Sequence, residues 1–141
     1  MVDLGCGTGT QTLTLAENTN AHITAIDLIP EMIEVMNARV KEAGLEDRIS
    51  TVIGSMDESP FAENSLDLAW AEGSIYNLGY NFGIQYWHNY LKYDCYIGVS
   101  EVSWFTEERP AEIQEFWNAT YSEIDTITNK INKMQHTGYI P

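Results

Sequence analysis

Hydrophobic positions along this chain switch repeatedly between short unbroken runs and runs spaced by three and four. Val2 to Leu4 reads as a buried strand that runs into glycines at positions 5, 7 and 9. A helix over about residues 10–18 follows, with Leu13 and Ala16 turned inward, and then a second buried strand over about residues 22–26. Pro30 suits the first turn of a helix on which Met32, Ile33, Met36, Val40 and Ala43 recur until Gly44 stops it. Residues 49–53 are β-branched and bounded by turn residues, a third strand. A loop over 59–64 leads to a fourth strand at 65–71, a helix at 82–92 carrying Ile84, Trp87 and Leu91 on one face, and a fifth strand at 95–101. Arg109-Pro110 opens another helix with Ile113, Phe116 and Trp117, of which Trp117 is expected in the core. A last helix carries Ile124, Ile127, Ile131 and Met134 up to Gly138. Strand and helix alternate without repeat or linker, which predicts one domain over residues 1–141. Its fold class is α/β, an open, parallel, doubly wound sheet with its ligand at the carboxyl ends of the strands.

The glycines sharpen that expectation. Alternate glycines after a strand permit backbone angles closed to other residues and let main-chain N–H groups approach a ligand at the head of the next helix. Ile23-Thr24-Ala25-Ile26 ends at Asp27, 22 positions beyond Gly5. An acidic residue at about that distance, at the tip of the second strand, is placed to accept hydrogen bonds from a ribose diol, so the ligand is expected to be a nucleoside. A dinucleotide fingerprint wants G-x-G-x-x-G, whereas position 10 here is Thr10, and the fit to a nicotinamide dinucleotide is poor.

Val2-Asp3-Leu4-Gly5-Cys6-Gly7-Thr8-Gly9 resembles the first motif of class I S-adenosylmethionine-dependent methyltransferases, and Asp27 matches their acidic residue after the second strand. Gly54-Ser55-Met56-Asp57 resembles their adenine-contacting turn, and Leu66 to Gly73 their fourth strand with its active-site end. The likeness is nearest to the small-molecule branch that includes the ubiquinone and menaquinone biosynthesis methyltransferases. It implies a Rossmann-like sheet of order 3-2-1-4-5, with the switch point between strands one and four. It also implies helices ahead of the first strand and two further strands with an antiparallel edge. Met1 falls inside the first strand and no residues read as those last strands, so the chain is expected to be an incomplete domain. Strand five is then an open edge that favours pairing with another chain, as in a homo-oligomer, or aggregation.

The resemblance implies S-adenosyl-L-methionine as cofactor, contacted by Asp3, Gly5, Cys6, Gly7, Thr8, Gly9, Thr10, Gln11, Asp27, Leu28, Met32, Ser55, Met56, Asp57 and Glu72. Within that set Asp3 orders the loop, Asp27 takes the ribose, and Met56 and Asp57 hold the adenine. Glu72 either balances the cofactor's ammonium or takes a proton from the acceptor. Tyr76 joins Glu72 as a catalytic candidate, and Tyr76, Asn77 and Trp104, with Glu101 beside them, are expected to line the acceptor pocket. Plainer readings stand beside these: Asp27 as the start of a helix, Ser55 to Ser59 as a polar turn, Glu72 as an exposed strand end, the aromatics as filler. Leu91-Lys92-Tyr93-Asp94-Cys95 departs from the resemblance, because a glycine-rich turn is usual before strand five.

Composition narrows the partners. Seven basic against 21 acidic side chains give a net charge of -14, which excludes phosphate-backbone recognition and suits a neutral or cationic small molecule. Cys6 and Cys95 sit in no disulfide or metal-ligand spacing, and His22, His88 and His136 are scattered, so no metal is expected. No apolar run is of membrane-spanning length and no secretory leader is visible, so no membrane partner and a cytoplasmic location are expected. Methyl transfer to a small-molecule O, N or C acceptor, catalysed mainly by positioning, is the leading reading. Its competitors are cofactor binding without turnover and, less favoured, half of a nicotinamide-dependent oxidoreductase.

Overall fold

The computed structural model describes residues Met1–Pro141, and in it five strands form one parallel sheet. They are β1 (Val2–Leu4), β2 (Ile23–Asp27), β3 (Ile49–Ile53), β4 (Leu66–Glu72) and β5 (Leu91–Ser100). Their spatial order is β3-β2-β1-β4-β5, as the resemblance implied. Helices α1 (Thr10–Asn18) and α2 (Pro30–Ala43) cross from β1 to β2 and from β2 to β3, and α3 (Tyr80–His88) crosses from β4 to β5. Beyond the sheet lie β6 (Ser103–Trp104), α4 (Ala111–Thr120), β7 (Asp125–Thr126) and α5 (Ile127–Thr137). β6 and β7 pair in parallel as a separate two-stranded sheet that the hydrophobic pattern does not announce.

The period of two along each strand builds two cores, one on each face. Ile23 and Ala25 of β2 pack with Ala16 of α1 and with Ile33, Met36 and Val40 of α2. Ile26, one residue out of phase, joins Val2, Leu4, Ala69, Ala71, Ile84 and Trp87 on the opposite face. All three residues of β1 are buried, the pattern of a central parallel strand covered on both sides. Trp87 is fully buried against Phe61, Tyr86 and Tyr90 and anchors α3; truncating so large a side chain to alanine typically costs about 3–5 kcal/mol. Gly44 ends α2 in the left-handed region (φ 67°), and the Leu45 N–H reaches back to the Val40 carbonyl at 3.0 Å. No helix is long and apolar enough to cross a membrane.

Three expectations change. The helix expected at 82–92 is α3, which spans Tyr80–His88, and β5 begins at Leu91 rather than 95. Leu91 is buried opposite Leu66; a register shift follows, with Asp94 at φ 59°, so the chain meets the missing glycine turn with a bulge. Asp is among the few side chains that adopt that region readily. Second, α4 buries no residue: Ile113 and Phe116 are exposed, and Trp117 is only half-buried, edge-on to Phe116, so it is not a core residue. Third, Ile124 precedes β7 instead of lying on the last helix, whose buried residue is Lys130.

On the face of β4 opposite Ala69 and Ala71, the Trp70 ring lies directly over Gly98 of β5. A Cβ on Gly98 would sit 2.5 Å from Trp70 Cε3. Alanine normally gains about 0.5–1 kcal/mol over glycine within a strand. Here Gly98→Ala is expected to lose about 1–3 kcal/mol in urea unfolding, because the rigid indole must move. A gain in stability would show that the contact is slack.

Candidate functional site

The segment between β1 and α1 is held in a shape that only its glycines allow. Gly5, Gly7 and Gly9 all take positive φ, at 66°, 54° and 84°. The amides of Gly5 and Cys6 both donate to the Ile26 carbonyl, at 2.8 and 3.0 Å, which turns the chain across the end of β2. A Cβ on Gly5 would lie 2.6 Å from Ser74 Cβ, and one on Gly9 would lie 2.8 Å from Met36 Cγ, so the loop is packed closely at both ends. Nothing lies within 4 Å of the corresponding point on Gly7, whose outer side is open.

Asp27 joins this loop to the head of α2. The Gly7 amide donates to Asp27 Oδ2 at 2.8 Å and the Ile29 amide to Oδ1 at 2.9 Å. Both sequence readings of Asp27 therefore meet in one side chain: it turns the backbone into α2 and it faces the glycine loop. Each carboxylate oxygen keeps a further lone pair for another donor. From α2, Arg39 Nη1 donates to the Thr8 carbonyl at 2.8 Å and to Thr10 Oγ1 at 3.1 Å. Sequence reasoning missed Arg39, although its position three residues beyond Met36 on the same helix face was the available signal.

Asp3 is buried beneath the loop and accepts a hydrogen bond from the Thr12 hydroxyl of α1. Burial raises its pKa to about 6 against the opposing effect of that hydrogen bond, and the negative charges of Glu72 and Asp27 add to the rise. Glu72 is exposed at the carboxyl end of β4, where its Oε2 accepts from Trp70 Nε1 at 3.3 Å. Three carboxylates from three adjacent strands thus share one end of the sheet. Cys6 differs from its neighbours: its thiol is buried against Met36 and burial pushes its pKa up to about 12, so it fills space as a neutral group.

Around this centre the turn Ser55-Met56-Asp57 brings the Met56 sulfur to 3.6 Å from the Cβ point of Gly5 and leaves Asp57 exposed. Leu28 and Ile53 stand exposed at the ends of β2 and β3, and Met32 is exposed on the first turn of α2. Gln11 is half-buried and Thr10 exposed at the head of α1. After β4, buried Ser74 donates to the Leu4 carbonyl, and the Gly73 amide donates to Ser100 Oγ at 2.8 Å, which ties the ends of β1, β4 and β5 together. Neither serine was singled out from sequence.

The acceptor-side candidates are less tightly gathered. Tyr76 and Asn77 lie exposed on a single 3₁₀ turn after β4, with Asn77 donating to the Ser74 carbonyl. Tyr76 meets Tyr121 edge to face, with ring centroids 6.1 Å apart. Trp104 stands apart on β6, its ring stacked 4.4 Å from the Arg109 guanidinium. Glu101 instead pairs with Lys130 of α5 at 3.2 Å, and both side chains are almost fully buried.

The raised pKa of Asp3 carries a stability consequence. Folded Asp3 holds its proton up to about pH 6 while the unfolded chain releases it near 3.8, so stability is greatest below pH 4 and falls between about pH 4 and 6. A shift of about two units corresponds to about 3 kcal/mol. Asp3→Asn keeps an acceptor for Thr12 and removes the charge. Its stability relative to the parent is expected to rise by up to about 3 kcal/mol between pH 4 and pH 7.5 in urea unfolding. A difference that does not vary with pH would contradict the buried charge.

Residues 1–94 match a protein family described as methyltransferase domain. The chain is 33% identical over 106 residues to the ubiquinone/menaquinone biosynthesis C-methyltransferase UbiE of Citrifermentans bemidjiense, covering 73% of this chain and 45% of that protein. It is 33% identical over 78 residues to methyltransferase GfsG of Streptomyces halstedii, covering 55% and 28% respectively. It spans less than half the length of the curated relatives it matches. Among solved structures it resembles geranyl diphosphate C-methyltransferase of Streptomyces coelicolor A3(2), determined with Mg2+, geranyl diphosphate and S-adenosyl-L-homocysteine. That likeness has a TM-score of 0.81 at 16% identity, over 99% of this chain and 52% of the other, and it establishes a common fold. With most of its length matched, and with the sheet order and glycine loop in place, the chain belongs to the methyltransferase-domain family.

Proposed function

We propose that this chain binds S-adenosyl-L-methionine across the carboxyl ends of β1, β2 and β4 and directs methyl transfer to an O, N or C atom of a small molecule. The observation that carries this reading is the Gly7–Asp27 hydrogen bond, which sets an open glycine loop and an acceptor carboxylate against each other at the switch point of the sheet. The residues present fit the cofactor. Asp27 retains lone pairs for a ribose diol, Met56 and exposed Leu28 and Met32 offer apolar surface for adenine, and Asp3 and Glu72 supply negative charge for its cationic end. Gly5 to Gly9, with Thr10 and Gln11 at the head of α1, form the edge that the cofactor would lie against.

The bound cofactor supplies a methyl group already activated by its sulfonium charge, so the chain need only position and shield. The tied ends of β1, β4 and β5 give a rigid floor for that task, and exposed Glu72 is placed to accept a proton from a hydroxyl or amine acceptor. Tyr76 and Asn77 border the same end. The net charge of -14 supports a neutral or cationic acceptor over an anionic one.

Calorimetric titration with S-adenosyl-L-methionine and S-adenosyl-L-homocysteine tests the reading. Saturable binding is expected for both, with Asp27→Asn weakening each by about 10- to 100-fold, the range for hydrogen bonds to a charged group. Absence of binding by the folded chain would refute the proposal. Affinity for the cationic S-adenosyl-L-methionine should also rise from pH 5 to pH 7.5, because a nearby cation favours ionised Asp3 and binding then releases its proton. Uncharged sulfur in S-adenosyl-L-homocysteine should make that dependence shallower, and an identical slope for the two would remove Asp3 from the cationic end.

A further inference from the structure

Between β5 and α5 lies a cavity of about 360 Å³ that the cofactor reading does not use. Its walls are mostly apolar, with Ile97 and Val99 from β5, Ile131 and Met134 from α5 and Tyr80 from the head of α3. Glu101 and Lys130 also face it, with side chains only 6% and 5% exposed. Lys130 Nζ is fully engaged: it lies 3.2 Å from Glu101 Oε1 and 3.4 Å from the Tyr121 hydroxyl, and 4.3 Å from the centroid of the Tyr80 ring. Glu101 is less fully engaged: the Tyr121 hydroxyl stands near its carboxylate, but only Oε1 makes a formed contact, with Lys130. Its Oε2 is buried with no hydrogen-bond partner. A buried carboxylate oxygen in that state calls for a donor, since leaving it unmade is costly.

We propose that this cavity is the acceptor pocket, built for a largely apolar, uncharged small molecule that offers one hydroxyl or N–H donor to Glu101 Oε2. The inference deepens the methyl-transfer reading and rests on it. The volume falls in the range of small-molecule sites, and apolar walls with a few polar groups, here Glu101, Lys130 and Ser103, are their usual lining. An anionic acceptor would meet the Glu101 charge. A permanent cation would meet Lys130, which already holds the aromatic faces of Tyr80 and Tyr121. Two links join the cavity to the carboxyl end of β4. Glu101 directly follows Ser100, which pairs with Glu72 and accepts from the Gly73 amide, and Tyr121 contacts both Lys130 and the ring of Tyr76. Glu101 therefore acts as a specificity-determining residue, orienting an acceptor whose donor group it binds.

The test titrates the full chain with p-cresol and with toluene, which lacks only the hydroxyl, while following the methyl resonances of Ile97, Ile131 and Met134. p-Cresol is expected to shift these resonances saturably and to bind about tenfold or more tighter than toluene. Glu101→Gln, whose amide oxygen is held by Lys130 so that an NH2 replaces Oε2, should reduce that preference while leaving toluene binding unchanged, and Val99→Phe, which fills the cavity without touching the ion pair, should abolish both. Equal affinity of the parent for the two probes would overturn the role of Glu101, whether or not Glu101→Gln folds. Unresponsive cavity methyls would overturn the pocket. S-adenosyl-L-homocysteine titrated in parallel separates the two claims. If it binds while the cavity stays silent, only this inference falls. If it fails to bind while p-cresol binds, the methyltransferase reading falls and takes the pocket's role as acceptor site with it.

Discussion

The hydrogen bond from the Gly7 amide to the Asp27 carboxylate is the constraint on which the rest of the site depends. It joins the loop after the first strand to the tip of the second, and it forms only because Gly5, Gly7 and Gly9 hold backbone angles that side chains disfavour. The strain of that loop is supported from below by the Ile26 carbonyl, from the side by Arg39, and from beyond β4 by Ser74 packed against Gly5. What the fold supplies is therefore a fixed backbone edge with one open side, at the place where strand order reverses.

Charge is distributed about the sheet in two different ways. At the carboxyl ends of the central strands three carboxylates, Asp3, Asp27 and Glu72, gather, and burial of Asp3, with the charges of Glu72 and Asp27 adding to it, raises its pKa. On the α5 side the buried Glu101 is balanced by Lys130, whose own pKa is lowered by burial in spite of that partner. The first arrangement is stabilised by any ligand that brings positive charge. The second is already neutral and asks only for a hydrogen-bond donor. This division suits a site in which a cationic methyl donor and an uncharged acceptor meet end to end.

Much of the fold was legible because the relevant signals were local. The glycine loop, Asp27 at its distance from Gly5, and the Pro30-to-Gly44 helix are each written in consecutive residues, and all stand where they were expected. What was not legible depended on contacts distant in sequence. The start of β5 was misplaced because Leu91 reads equally well as the end of a helix face, and only its pairing with Leu66 and the bulge at Asp94 decide otherwise. The apolar stripe of α4 suggested a core helix, yet Trp117 packs on its own neighbour Phe116 rather than on the sheet. Arg39, Ser74 and the Glu101–Lys130 pair escaped because a polar residue on a helix or strand does not announce its partner 29 to 70 residues away.

Cofactor binding at the glycine loop is tested by titrating the isotopically labelled chain with S-adenosyl-L-homocysteine and following its backbone amide resonances. Shifts are expected to concentrate at Gly5 to Gln11, Asp27 and Leu28, Ser55 to Asp57 and Glu72, with the Gly7 amide among the most affected. Shifts confined to other parts of the sheet, or none at all in a folded sample, would contradict binding at that loop.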